Sequence, residues 1–498
     1  MRGDIEPVLR KAPKPADSRR LAEAEDGMKD LFRRKPIDQL VDHTAPNRLR
    51  PSLSAWHLVL LGVGAIVGTG IYTLVGVGAE RAGPAVILSF AIAGGVCAFA
   101  ALAYAELATM MPASGSAYTY SYAAMGELIA WIIGWALILE YSVVCSAVAV
   151  GWSGYAVGFL SGLGVELPAA LVGGPASGGL INVPAILIVA AVTGMPLIGT
   201  RESANVNSVL VVVKIVALAI FVALALPAFD AANFEPFSPY GFAAHVDADG
   251  ADRGVMSAAA IIFFAFYGFD AVSTAAEETK DLGRNLSIGI IGSMVVCTLI
   301  YMTVASAAVG AMPFRDFAAS GEPLAHILRT LGHDKSAALI AAAAVVALPT
   351  VILAFMYGQS RIFFVMARDG LLPHQLGRVH EKSGAPVAMT IITGVVCALI
   401  AGVLPLATIA ELANAGTLAA FVATSVALMI LRVREPNRER PFKTPFAFIV
   451  APAAILGCLY LFFSLPSVTQ TRFFIWMGVG LVVYFVFSRG SSRLAGRA

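Results

Sequence analysis

The segments GVGAIVGTGIY at residues 62–72 and FFAFYGFDAV at residues 263–272 each lie inside an apolar run long enough to cross a bilayer. Glycine weakens a helix interior by about 1 kcal/mol relative to alanine, so each run carries a point near mid-membrane where the helix can open. Reading outward from these two segments, apolar length and flanking breakers give about twelve runs, near 54–79, 84–110, 127–160, 182–199, 205–227, 254–276, 287–311, 336–362, 386–403, 406–431, 446–465 and 470–488. The glycine-bearing segments fall in the first and the sixth. Interruptions at corresponding places in two five-span halves are the sequence pointer to an inverted-repeat transporter with its substrate site between the broken helices. Gly64 and Gly68 also form a GxxxG pair, which lets membrane helices approach closely without any ligand. The match with Gly268 and the position of Lys214 favour binding over packing alone. A dinucleotide-binding glycine loop is excluded, because no strand precedes the first segment and no βαβ context surrounds it.

Lys214 stands alone in the run from Asn205 to Pro227. A helix rises about 14 Å between Asn205 and Lys214, roughly half of a ~30 Å hydrocarbon core, so the amine reaches neither surface easily. Ionisable groups at this depth are functional by default, and a buried amine that can gain and lose a proton is a candidate proton carrier.

The chain has 498 residues, 58% hydrophobic and 13% charged, against roughly 25% charged in soluble domains. It therefore reads as an all-α polytopic membrane protein, since a β-barrel would show short alternating segments. The net charge of +2 says little, but its distribution says more. With both termini cytoplasmic, 27 of the 34 lysines and arginines fall on the inner side, six on the outer side, and Lys214 between them. The expected location is the cell inner (plasma) membrane. Residues 1–52 are polar and charged, so a cytoplasmic tail without a cleavable secretory leader is expected there, and Leu21 to Phe32 have the spacing of a short amphipathic segment. The five cysteines lie inside apolar runs with no metal-ligand spacing, and they read as small packing residues.

YAELATMMPASGSAYTY at 104–120, LILEYSV at 137–143, FYGFDAVSTAAEETKD at 266–281, MARDGLLP at 366–373, ELANAGTLAAFV at 411–422 and RERPFKTP at 438–445 accompany the first segment. Taken in order, from about residue 50 to 465, these motifs resemble the amino acid/polyamine/organocation permeases, closest to the bacterial branch of the cationic amino acid transporter family. The resemblance implies a LeuT-like 5+5 inverted repeat with two additional C-terminal helices. The first repeat would cover 53–227, the second 228–431, the added helices and preceding basic loop 432–488, and a cytoplasmic tail 489–498. It also implies amino acid uptake by alternating access. Carried onto this chain, Ile66, Gly68, Thr69 and Gly70 would offer backbone N–H groups to the substrate carboxylate. Phe264, Ala265, Tyr267 and Gly268 would form the opposing segment, whose carbonyls receive the ammonium, with Phe264 as aromatic cover. Lys214 would occupy the place where sodium-coupled members of the fold hold a cation, which points to proton symport. Broken helices suit a zwitterion independently, because they expose donors at one end and acceptors at the other.

Each of the remaining candidates has a functional and a structural reading. Glu140 is a partner in the proton path or a hydrogen-bonding carboxylate. Asp270, two residues beyond the sixth-run glycine, is a gate or a helix cap. Met356, with Phe355, is a determinant of pocket size or a packing residue. Glu106 reads as a hydrogen-bonded helix end, Glu411 as a water-facing residue, and Tyr118, Tyr120 and Tyr122 as interfacial anchors. Glu277, Glu278, Lys280 and Asp281 read as a solvated loop.

No metalloprotease, nucleophile or phosphate-binding motif occurs, and no segment is long enough for a nucleotide-driven motor, so an enzyme or pump is not expected. The expected partners are an L-amino acid, protons and the lipid bilayer, with no cofactor and no nucleic acid. An accessory subunit or an oligomer stays open. A small or medium neutral amino acid is the expected cargo, with cationic amino acids or polyamines, an exchanger and an amino acid sensor as alternatives.

Overall fold

A computed structural model of the chain describes residues 31–37, 53–112, 115–198, 204–273, 279–377 and 387–494. Most of the proposed amphipathic segment and the pair Glu277 and Glu278 lie outside the described residues. Within them the protein is almost entirely helical. The first apolar run is divided into α1 (Ala55–Ile66), α2 (Thr69–Tyr72) and α3 (Leu74–Ala82). Then follow α4 (Val86–Met110), α5 (Ser116–Ala124), α6 (Glu127–Gly162), α7 (Val183–Ile198) and α8 (Ala204–Ala225). A two-stranded antiparallel hairpin, β1 (His245–Val246) and β2 (Asp252–Arg253), leads into α9 (Val255–Ile262) and α10 (Phe269–Ser273). The rest comprises α11 (Ser287–Ala311), α12 (Phe314–Phe317), α13 (Pro323–Thr330), α14 (Asp334–Ala347), α15 (Pro349–Arg368), α16 (Val387–Val403), α17 (Leu406–Arg434), α18 (Ala447–Phe463) and α19 (Ser467–Val483).

Seven helical runs among the described residues are long and apolar enough to cross a membrane, and five shorter apolar helices accompany them. Hydrocarbon offers no water to backbone amides, so helices that satisfy their own N–H and C=O groups are the form such sequences take. Tertiary packing follows a regular scheme. The long α6 touches α15, α16, α17 and α7, while α8 packs on α1, α11 and α14. Helices α1 and α4 both lie on α11, and α9 lies on α3, α4 and α17. The last helix is fastened to α6 by indoles: Trp131 Nε1 donates to Gly480 O at 2.8 Å and Trp135 Nε1 to Trp476 O at 2.9 Å.

Charge is buried at both ends of the bundle. Glu106, near the end of α4, is fully buried and accepts from Arg432 at 2.7 and 2.6 Å, from Arg440 Nε at 3.0 Å and from Thr444 N at 2.8 Å. The RERPFKTP segment is thereby pinned beneath α4 and α17. At this same end, Asp369 accepts from Lys35 Nζ at 2.8 Å and Tyr118 Oη at 2.9 Å, and Glu127 accepts from Tyr122 Oη at 2.9 Å. Residues 31–37 dock here, with Glu127 N donating to Arg33 O at 2.9 Å. Tyr118, Tyr120 and Tyr122 are all buried. Tyr118 and Tyr122 are hydrogen-bonding groups and Tyr120, whose hydroxyl has no partner, is a packing group; none is an interfacial anchor, because α5 folds under α6 and α17 instead of lying in a headgroup layer.

About 31 Å along α17 from Arg432, at 1.5 Å per residue, Glu411 pairs with Arg81 and accepts from Thr469 Oγ1 at 2.9 Å. Glu411 is only 6% exposed, so its expected contact with water does not hold. Arg81 takes the place of solvent.

Breaking a buried ion pair by removing one partner costs about 3–5 kcal/mol. Glu106→Ala is therefore expected to lower the melting temperature of the detergent-solubilised protein more than any single surface substitution. Gly268→Ala combines a left-handed backbone (φ 107°) with a Cβ 2.7 Å from the Ala65 carbonyl carbon, and is expected to cost about 1–3 kcal/mol. Gly95→Ala, which meets nothing within 4 Å, is expected to be neutral or stabilising in the same melting assay.

Candidate functional site

Both glycine-bearing segments are broken where the sequence predicts. Helix α1 ends at Ile66, Val67 is extended, Gly68 lies outside both helical and extended conformations, and α2 restarts at Thr69. Among the described residues, the N–H groups of Gly68, Thr69 and Gly70 have no backbone acceptor, as expected for donors that open a helical turn. In the second break α9 tightens to a 3₁₀ turn over Phe263–Phe266, Tyr267 is extended, and Gly268 has φ 107° before α10 begins.

The two breaks interlock through glycine. A Cβ on Gly70 would lie 2.3 Å from Ala265 Cα, and a Cβ on Gly268 would strike Ala65. Backbone therefore meets backbone at both crossings. A third glycine, Gly151 of α6, makes room for Thr69, whose Cγ2 would be 2.3 Å from an added Cβ.

Between the breaks lies a cavity with about 230 Å³ of empty space, including the part open to solvent. Ala65, Ile66, Gly68, Thr69 and Gly70 line it from one break, and Phe264 and Tyr267 from the other. Val144 and Val148 of α6 and Val351 and Phe355 of α15 form the walls. None of these side chains is charged. Thr69 Oγ1 is buried and has no hydrogen-bond partner. Six of the eight residues expected at the breaks line the cavity. Ala265 and Gly268 stand behind it, forming the interlock instead.

Lys214 is 1% exposed and sits between the first break and α15. Its Nζ donates to Gly64 O at 3.1 Å and Thr350 Oγ1 at 3.3 Å, and its own carbonyl accepts from Tyr72 Oη at 3.1 Å. An ammonium has three donors and no acceptor, so these partners suit it.

Tyr301 and Asn414 were not singled out by the sequence. The Tyr301 hydroxyl of α11 lies within donating distance of a carbonyl from each break, Ile66 O at 2.8 Å and Ala265 O at 3.0 Å. Asn414 of α17 accepts from Tyr267 Oη and donates to Ala260 O at 2.6 Å and Ile261 O at 3.1 Å. Asn414 is a lone amide in an apolar run, and that polarity was its available signal. Tyr301, a tyrosine among other membrane aromatics, offered none.

The other candidates lie around this centre. Asp270 Oδ2 accepts from Tyr141 Oη at 2.9 Å, which ties α10 to α6. Glu140, beside Tyr141, is buried with Oε2 unpartnered. Met356 does not line the cavity; its sulfur lies 3.8 Å from Thr193 Oγ1 of α7, while the neighbouring Phe355 takes the wall position.

Comparison with known proteins gives this geometry a family. A family model described as amino acid permease matches residues 53–487. The branched-chain amino acid permease BcaP of Bacillus subtilis (strain 168) is 46% identical over 469 residues, covering 93% of this chain and 99% of that protein. The methylthioribose transporter of the same organism is 42% identical over 470 residues, covering 94% and 100%. The vacuolar cationic amino acid transporter 4 of Arabidopsis thaliana is 34% identical over 423 residues, covering 82% and 68%. On this match the chain belongs to the amino acid permease family, near its cationic amino acid transporter branch, and is a multi-pass membrane transporter and not an enzyme.

Proposed function

We propose that the protein takes up a neutral, apolar L-amino acid of small or medium size by proton symport, binding it between the two breaks. The observation that carries this reading is the uncharged cavity, with unpaired N–H groups of Gly68, Thr69 and Gly70 on one side and valine and phenylalanine walls on the other. A carboxylate is suited to such donors, and an aliphatic side chain to such walls. A cationic side chain would find no counter-charge among the lining residues. The relative named as a branched-chain amino acid permease points the same way.

The proposed frame is twelve spans, the first ten forming two inverted five-span repeats, with both termini on the cytoplasmic side. Its support is the symmetry of the packing. Exchanging each span with the one five places on turns the α1–α11 contact into α9–α4, α6–α17 into α14–α8, α4–α17 into α11–α8, and α6–α16 into α15–α7; all of these pairs pack. The contacts α6–α15 and α7–α16 map onto themselves.

Lys214 is the proposed coupling residue. Protonated, its amine fastens α1 through Gly64 O to α15 through Thr350. Deprotonation removes a donor and weakens that tie, which biases the carrier between outward-open and inward-open states. Asp270 and Glu140 are proposed as gating groups, linked to this centre through Tyr141.

Three measurements test these assignments. In proteoliposomes, Lys214→Ala protein is expected to bind substrate yet lose accumulation driven by an imposed pH gradient; uptake that still follows the gradient removes the coupling assignment. One methylene in a tight apolar pocket is worth about 1–3 kcal/mol, or 10–200-fold. Val148→Leu is therefore expected to depress kcat/KM for isoleucine at least about tenfold relative to alanine. A thermal-shift panel of the twenty amino acids, with methylthioribose included, checks the cargo: stabilisation by arginine or lysine alone would overturn the neutral assignment.

A further inference from the structure

The loop between α12 and α13 carries a buried carboxylate that the transport reading leaves unused. Glu322 is only 8% exposed, and its Oε1 accepts from Arg329 Nη2 at 2.5 Å while its Oε2 is buried and has no partner. It is seated on α6 through glycine: a Cβ on Gly158 would lie 1.9 Å from Oε1 and 2.2 Å from Oε2, and a Cβ on Gly154 would lie 2.5 Å from Gly321 O. Tyr155, three residues before Gly158 and so on the same face of α6, donates to Tyr72 O at 2.5 Å. The Tyr72 and Tyr155 rings meet edge to face at 5.7 Å, and Tyr72 Oη donates to the backbone carbonyl of Lys214 at 3.1 Å. Thr73, next in the chain to Tyr72, has a second buried and unpartnered oxygen. A carboxylate, two tyrosines and the backbone of the buried lysine thus succeed one another from the loop inward, with the Lys214 amine on Gly64 O and Thr350 Oγ1 beyond them.

We propose that Glu322 collects protons from the outer medium and delivers them to Lys214. The proposal rests on the proton-coupled reading and on its orientation. The step is a proton transfer alone: the Glu322 carboxyl O–H breaks, an N–H forms on the neutral Lys214 amine, and water admitted beside Tyr155 and Tyr72 in the outward-open state carries the proton between them. The resulting carboxylate is held by Arg329.

The surroundings suit a group that must be protonated before it can donate. Burial raises the Glu322 carboxyl above the ordinary carboxylate range, and Arg329 partly opposes that shift. Tyr155 of α6 and Arg329 and His326 of its own helix are the titratable or charged groups close to it. Lys214 lies on α8, which also packs on α13. Arg315 and Asp316 on α12 and Asp334 and Lys335 on α14 are exposed, and the buried carboxylates of α6, Glu140 and Glu127, lie about 27 and 47 Å along that helix from Gly158 at 1.5 Å per residue.

The test uses the full chain in liposomes, with radiolabelled L-isoleucine as probe and the pH varied on each side in turn. Glu322→Gln is expected to lose acid stimulation from the outer side while isoleucine exchange at equal pH persists, and Glu322→Asp to restore the stimulation. Arg329→Gln keeps the carboxyl but removes the cation that favours its ionised form, so stimulation is expected to persist with its midpoint moved to higher pH. Wild-type outer-pH behaviour in Glu322→Gln, or identical profiles for Glu322→Gln and Arg329→Gln, would overturn the proposal by reducing the pair to a loop clasp. Should the Gln variant fail to fold, an unmoved midpoint in Arg329→Gln overturns it alone. Wild-type uptake indifferent to the gradient would instead remove the proton-coupled reading on which the proposal stands.

Discussion

A backbone polar group left unpaired in hydrocarbon costs several kcal/mol, and this protein breaks two helices at that depth. The molecule is arranged around satisfying the groups so released. Tyr301 reaches a carbonyl from each break with a single hydroxyl, and Asn414 takes the two carbonyls at the end of α9. Lys214 takes Gly64 O. What is left over is a small set of N–H groups on Gly68, Thr69 and Gly70, three residues that line the cavity. A site thus arises where the accounting of backbone hydrogen bonds is incomplete by design of the fold.

Glycine makes the arrangement compact. Gly70 against Ala265 and Gly268 against Ala65 bring two backbones into contact, so neither break can shift without the other. Motion at one would be felt at once by its partner, which suits the alternating access proposed for this protein. Closely packed interiors are bistable and not continuously deformable, and that is the property such a cycle requires.

The ends of the bundle obey a different rule. Glu106 with Arg432 and Arg440, and Glu411 with Arg81, are buried ion pairs that join helices distant in sequence. Removing either partner from such a pair would leave an uncompensated charge, so each pair fixes which helices are neighbours. Residues 31–37 and the chain after α19 are drawn into one of these ends through Asp369 and Glu127, where Ser492 Oγ donates to Glu127 at 2.5 Å. The ends are clamped by ion pairs, and the cavity between them is lined by uncharged side chains.

Apolar length and the low share of charged residues made the membrane class legible from the chain alone, because neither depends on which helices become neighbours. The glycines of GVGAIVGTGIY and FYGFDAV located the breaks, since helix propensity is written residue by residue. Lys214 stood out because hydrocarbon penalises charge. The fate of Glu411, the burial of Tyr118 and Tyr122, and the choice of Phe355 over Met356 as the wall residue were beyond that reading. Each depends on which helix face meets which neighbour, and an apolar run with polar groups on no consistent side does not encode its rotation. Tyr301 is the clearest instance: in sequence it is one tyrosine in a long apolar helix, and only the approach of α11 to both breaks makes its hydroxyl the bridge between them.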